Sequence, residues 1–258
     1  MKTPLTLQEK RKVYLGLLKE LDRFCSLNEL RYYLACGTLI GAVRHKGFIP
    51  WDDDLDVFVP EPDFKKLSEI YSSDKFELVT CFNSKAHPYT FARLIDKRTY
   101  SLAGTVESFG LGIDVYIIYG APSLREDQIK HMDNVFRYLK KKNYWMGIRR
   151  MMIRKKIWPF STLNMPIMNY YIRKAVREFE KFSYDSCEYI WPFGGGRLNL
   201  KKELYGKPVR IPFENGLFCA PEHYHEVLTA GYGDYMELPP EDQRYPYHGG
   251  NYYWKVNE

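Results

Sequence analysis

The chain is poor in the features that mark several common protein classes. Its five cysteines, Cys25, Cys36, Cys81, Cys187 and Cys219, are odd in number, widely spread and never in a CxxC pair. Neither a disulfide framework nor a structural zinc site is suggested, and a reducing compartment fits. His223 and His225 stand two apart with no second Cys or His pair to complete a metal-ligand pattern, so they read as surface histidines. No apolar run approaches the ~18 residues of a membrane span, and the opening MKTPLTLQEKRK has no apolar signal stretch, so a cytoplasmic location is expected. There is no internal repeat or low-complexity tract. With 45% apolar and 27% charged residues over 258 positions, a disordered or collagen-like chain is excluded and one buried core is expected.

Acidic residues are missing from one stretch. Between Arg137 and Lys156 lie nine basic residues and no acidic one, which leaves 29 basic against 32 acidic residues elsewhere. Tyr144, Trp145, Met146, Ile148, Met151, Met152, Ile153 and Trp158 alternate with or border these charges. Such a block reads either as a solvated helix face or as a contact for an anionic membrane at the inner leaflet or another polyanion. Nucleic acid is the disfavoured partner.

Hydrophobic spacing gives the outline of the fold. Thr6 followed by Glu9 predicts a capping box, and Val13, Leu17, Leu18, Leu21, Phe24 and Cys25 recur at helical spacing. RYYLAC (31–36) reads as a strand ending at Gly37 and Thr38, TLIGAVRH (38–45) as a short helix, and LDVFV (55–59) as a strand closed by Pro60 and Pro62. A helix over about 63–71 follows, then strands in FELVTCF, YTFARLID and GIDVYIIY. The last is almost wholly apolar and therefore expected at the centre of a sheet. Helical patterns dominate from Leu124 to Phe182, with breaks at Pro159 and Pro166. The segment 189–258 is rich in Gly, Pro and aromatics and is expected to wrap the core with little regular structure. The fold class is therefore α+β: a mixed sheet core with flanking helices over 1–123, a basic helical lobe over 124–188, and a loop-rich segment over 189–258 completing a cleft in one compact unit.

The most informative stretch is PWDDDLDVFVP. Residues two apart on a strand face the same side, so Asp54 and Asp56 point one way while Leu55 and Val57 enter the core. Carboxylates that close repel unless a cation or proton lies between them, and oxygen-only ligands suit magnesium or manganese. Asp114, flanked by Ile113 and Val115 on the apolar strand, is the natural third ligand; a basic partner is the alternative for so buried an acid. Gly37 and Thr38, between a strand and a short helix, would bring backbone amides and a hydroxyl toward a phosphate. This is a layout for phosphoryl or nucleotidyl transfer.

The stretch CGTLIGAVRHKGFIPWDDDLDVFVP resembles the signature of the LicD family, phosphotransferases related to the nucleotidyltransferase superfamily. FARLIDKRT, GIDVYIIY and AGYGDYMELPPEDQRYPYHG resemble further family blocks in the family order, so the likeness runs from about Arg31 to His248. It implies a nucleotidyltransferase-like core, Gly37 and Thr38 as the nucleotide-cradling turn, Asp54 and Asp56 as the metal-binding pair, Asp114 as the third carboxylate, and Asp52 as an upstream acid at the donor. It also implies a CDP-alcohol donor such as CDP-choline and an acceptor hydroxyl on a cell-surface glycan, teichoic acid or glycolipid precursor, with Arg244 and His248 at the cleft. Arg44, Lys46 and Arg93 are candidate phosphate clamps, Trp51 a candidate pocket wall, and Asp114 the expected proton acceptor. The rival readings are a nucleotidyltransferase that leaves the nucleotide on its acceptor, a ribitol or glycerol phosphate transferase, and a non-catalytic basic binding module.

Overall fold

The structure, a computed structural model, describes residues 3–84, 86–101, 109–155, 164–192, 199–246 and 249–255. It opens with helix α1 (Leu7–Leu27), begun by the expected capping box: Thr6 Oγ1 accepts from the Glu9 amide at 3.3 Å, and the Glu9 carboxylate accepts from the Thr6 amide at 2.8 Å. Its apolar stripe buries Leu17, Leu18 and Leu21 completely, each contributing roughly 1.5–3 kcal/mol of apolar burial. Strand β1 (Tyr33–Leu34) leads into α2 (Cys36–His45), and β2 (Asp56–Pro60) into α3 (Glu61–Ile70). Strands β3 (Phe76–Val79), β4 (Ala92–Asp96), β5 (Thr99–Ser101) and β6 (Gly112–Ala121) follow. The helical pair is α4 (Arg125–Arg154) and α5 (Met165–Phe179). The remainder holds β7 (Tyr189–Trp191), β8 (Leu200–Lys201), the hairpin β9 (Val209–Phe213) with β10 (Gly216–Ala220), α6 (Tyr224–Tyr232) and β11 (Tyr252–Trp254).

Five strands run in the order β1-β2-β6-β4-β3, and β7 and β8 continue the sheet from the far end of β6. Among the described strands of this sheet β2 and β6 pair in parallel and the other pairs are antiparallel. The apolar strand β6 does lie at the centre, with Ile113, Val115 and Ile118 buried. Among the described residues the chain is thus a mixed sheet with six helices, as expected in class.

Several boundaries differ from expectation for local reasons. The predicted strand over 31–36 is only two residues long, because Cys36 already starts α2 at φ 49°. Pro60 belongs to β2, where it pairs in register with Ile118, and Pro62 sits in the first turn of α3, where a missing amide costs nothing. Pro166 likewise opens α5 and does not break it; Pro159 lies outside the described residues. The described residues from 189 onward carry five strands, a helix and two short 3₁₀ turns, more regular structure than the composition suggested. Each piece is short, so periodicity had little length in which to show.

Candidate active site

The acidic loop 52–54 is held from the N-terminal helix. Arg11 donates to the carbonyls of Ile49 (2.7 Å), Pro50 (2.9 Å) and Asp52 (3.3 Å), and the Tyr14 hydroxyl donates to the Asp53 carbonyl at 2.9 Å. The buried Asp53 carboxylate accepts from the Gly249 amide at 2.8 Å and so ties the C-terminal segment to the same loop. Asp56 begins β2 and stands in direct register with Asp114 on the parallel strand β6; the Asp114 amide donates to the Leu55 carbonyl at 3.0 Å. Asp54 precedes the strand by two residues. Asp54 and Asp114 both line a cavity of about 360 Å³ together with Arg93, Tyr14, Tyr116 and Tyr252.

These acids crowd one another. Burial, then the charges of Asp54 and Asp114, push the Asp56 carboxyl well above the usual carboxylate range. Burial and Asp54 push Asp52 up to about 7. The cause is the one anticipated from sequence: like charges in a partly desolvated place favour a proton or a cation among them.

The start of α2 shapes the cluster. Thr38, expected to bring its hydroxyl toward a phosphate, is buried, and its Oγ1 accepts from the Asp56 amide at 2.9 Å and so orients the start of β2. Gly37 lies against Asp52: a Cβ there would come 2.6 Å from Asp52 Oδ2. The Cys36 thiol lies between Asp56 and the Tyr232 hydroxyl, which brings the end of α6 to the acids.

Arg93 on β4 faces Asp114 on the neighbouring strand, its Nε 2.8 Å from Asp114 Oδ1, donates to Gly112 O at 3.3 Å, and lies near the Tyr252 phenol. Burial alone would lower its pKa, yet Asp114 and then Tyr252 hold the guanidinium above its ordinary value. Asp114 thus has the basic partner named as the alternative to a metal.

The other expected residues lie apart from this cavity. Arg44 donates to the Tyr235 (2.6 Å) and Glu237 (3.0 Å) carbonyls, so it fastens α2 to the C-terminal segment. Lys46 is exposed at the C-cap of α2 with φ 58°, and its ammonium donates to the Val43 carbonyl at 3.1 Å. Trp51 carries the Arg244 guanidinium 5.4 Å from its ring centroid, and Arg244 donates to Pro239 O at 2.9 Å. Arg44 lies close enough to Arg244 to be depressed by it, after burial. Trp51, Arg44 and Arg244 therefore share one basic corner. His248 is outside the described residues.

Among the described residues no group of three His, Cys, Asp or Glu side chains stands in metal-ligand geometry. The donor chemistry still suits a hard cation, because Asp54 and Asp56 are oxygen ligands whose mutual repulsion a divalent ion would relieve. Of the expected three, Asp114 is engaged by Arg93.

Sequence reasoning passed over Arg11, Tyr14, Cys36, Tyr116, Tyr232 and Tyr252. For Tyr116 a signal existed: it lies two residues after Asp114 and so shares its face of β6, where Asp56 and Asp114 raise its phenol pKa further after burial. Tyr14 and Tyr252 reach the site from opposite ends of the chain, and no local pattern announces that.

A mixed sheet thus presents crowded aspartates beside the start of α2. Residues 29–167 match the family described as LicD/FKTN/FKRP, nucleotidyltransferase domain, and the chain belongs to that family. Along 95% of its length it is 31% identical to the lipopolysaccharide cholinephosphotransferase LicD of Haemophilus influenzae (strain ATCC 51907 / DSM 11121 / KW20 / Rd), covering 96% of that protein. Shorter matches join it to uncharacterized proteins of Rickettsia prowazekii (strain Madrid E), 43% identical over 21% of this chain and 20% of the relative, and of Rickettsia typhi (strain ATCC VR-144 / Wilmington), 41% identical over 22% and 19%.

Proposed function

We propose that this protein is a cytoplasmic transferase that moves phosphocholine from CDP-choline to a hydroxyl on the glycan of a lipopolysaccharide-type acceptor. The observation that carries the reading is the register of Asp56 with Asp114 beside Asp54, on a chain collinear with a cholinephosphotransferase. Asp54 and Asp56 would hold a magnesium or manganese ion, which supplies neutralisation of the diphosphate charge when bound. The remaining work falls to the chain's own groups. Arg93, held by Asp114 and Tyr252, presents a fixed positive charge at the cavity for the transferring phosphoryl group. The bond between acceptor oxygen and phosphorus forms, the bond to the CMP oxygen breaks, and the acceptor proton passes to a carboxylate of the cluster. Arg93 engages Asp114 Oδ1, one of the carboxylate oxygens that could take this proton. Trp51, Arg44 and Arg244 form a second basic corner suited to a phosphate of donor or acceptor.

Incubation with magnesium and a panel of CDP-alcohols, read as CMP release in the presence of a glycan acceptor, tests this. CDP-choline is expected to be used best. Preference for CDP-ribitol or CDP-glycerol would reassign the donor, and pyrophosphate release with a nucleotide left on the acceptor would replace the reading by nucleotidyl transfer.

A further inference from the structure

The basic block left unabsorbed by the active site resolves into two kinds of residue. Lys142 and Arg149 are buried, with Lys142 Nζ 5.3 Å from the Tyr89 ring centroid behind the cavity; Lys156 lies outside the described residues. The others are exposed on α4 and its C-cap: Arg137, Lys140, Lys141, Arg150, Arg154 and the capping Lys155. Arg137, Lys141, Tyr144, Ile148, Met151 and Lys155 follow at steps of four, three, four, three and four, so they form one outward stripe roughly 27 Å long.

Helix α5 extends that surface with residues the sequence had not singled out. Pro166, Tyr170, Arg173 and Arg177 share one face, with Lys174 beside them, along an open groove of about 630 Å³ whose described lining comes wholly from α5. The two stripes join: Lys141 Nζ lies 5.6 Å from the Tyr171 ring, Tyr171 meets Tyr170 at 5.3 Å, and Lys174 Nζ lies 5.7 Å from the Tyr170 ring. Among the described residues none of the basic side chains of this surface is paired with a carboxylate, unlike Arg23, Arg31, Arg93, Arg98 and Arg210 elsewhere. Set among the charges are the outward side chains of Tyr144 (66% exposed), Tyr170 (55%) and Met151 (43%).

Nine cations without a carboxylate partner among the described residues, along two adjoining helices with tyrosine and methionine protruding between them, have the composition of a surface that rests on lipid headgroups. The cations meet anionic phosphates while the protruding side chains enter the boundary with the acyl chains. We propose that the α4–α5 pair docks the protein on an anionic bilayer. A long, outward-facing stripe suits a plane better than it suits a single soluble ligand, and the docking requires none of the active-site aspartates.

Flotation of the full chain with vesicles of phosphatidylcholine containing about 30% phosphatidylglycerol is the test. The wild-type protein is expected to float with these vesicles at ~0.1 M salt and to stay behind with phosphatidylcholine alone. Lys140→Glu/Lys141→Glu/Arg173→Glu/Lys174→Glu should weaken partitioning at least tenfold, and Tyr144→Ser/Tyr170→Ser should weaken what survives at ~0.5 M salt, where charge is screened. Unchanged far-UV circular dichroism and unfolding midpoints show that both variants fold, so the outcome is independent of the catalytic reading. Absence of binding to anionic vesicles would overturn the proposal, as would full binding by the charge-reversed protein. Competition by short duplex DNA, with the tyrosine variant binding vesicles normally at high salt, would mark a general polyanion surface and overturn it too.

Discussion

Arg93 Nε on β4 and Asp114 Oδ1 on β6 are 2.8 Å apart across an antiparallel register that sets the two α-carbons directly opposite. One ion pair therefore links the strand that carries the third acid to the next strand of the sheet, at the mouth of the candidate cavity.

The pair should couple stability and transfer. Its side chains are 18% and 26% exposed, so solvent screens part of the interaction. Arg93→Met is expected to cost about 1–2 kcal/mol and to lower CMP release roughly a hundredfold. Chemical denaturation of Arg93→Met, Asp114→Asn and the double variant should give a coupling energy of about 1 kcal/mol or more. Strictly additive losses would show that the contact contributes nothing.

Acid crowding gives a pH dependence of definite sign. Asp52, at about 7 against an ordinary 3.8, binds more protons folded than unfolded between those values, and Asp56 is shifted the same way. The contribution of Asp52 to stability thus falls as pH rises from about 4 to about 7 and is level above that, and Asp56 acts in the same direction. Without divalent ions, the melting temperature of Asp52→Asn relative to wild type should climb over that window. A flat difference would refute the shift.

Cation binding should relieve the same repulsion. Magnesium or manganese at pH 7.5 is expected to raise the wild-type melting temperature by several degrees, and to leave Asp54→Asn/Asp56→Asn unmoved. Equal shifts in both proteins would locate the ion elsewhere.

Thr38 offers a substitution that keeps shape and removes one hydrogen bond. Thr38→Val leaves the buried Asp56 amide without its acceptor and should cost about 1–3 kcal/mol with a marked loss of transfer, while Thr38→Ser stays near wild type. Equal behaviour of the two variants would deny the hydroxyl its role.

Gly37 tests close packing at the cluster. Gly37→Ala places a Cβ 2.6 Å from Asp52 Oδ2, so the short carboxylate must turn away. Reduced CMP release is expected, with stability recovered in Gly37→Ala/Asp52→Gly. Full activity in Gly37→Ala would mean that the position of Asp52 is immaterial.

Much of this protein was determined by the sequence itself. Local chemistry sufficed for the capping box of α1 and the central place of the apolar strand over 112–119, because helix and strand periods act over a few residues. The DDD run and its neighbours were likewise enough to name the acids. What only the tertiary structure decided is which groups surround them. Arg93 became the partner of Asp114 through a strand register, Thr38 was turned inward onto Asp56, and Tyr14 and Tyr252 met at one cavity from positions 238 residues apart. Arg44 and Lys46 went to backbone carbonyls instead of the cavity for the same reason: a guanidinium or ammonium takes whatever acceptor the packed chain brings within reach, and that depends on register and long-range packing that no short pattern encodes.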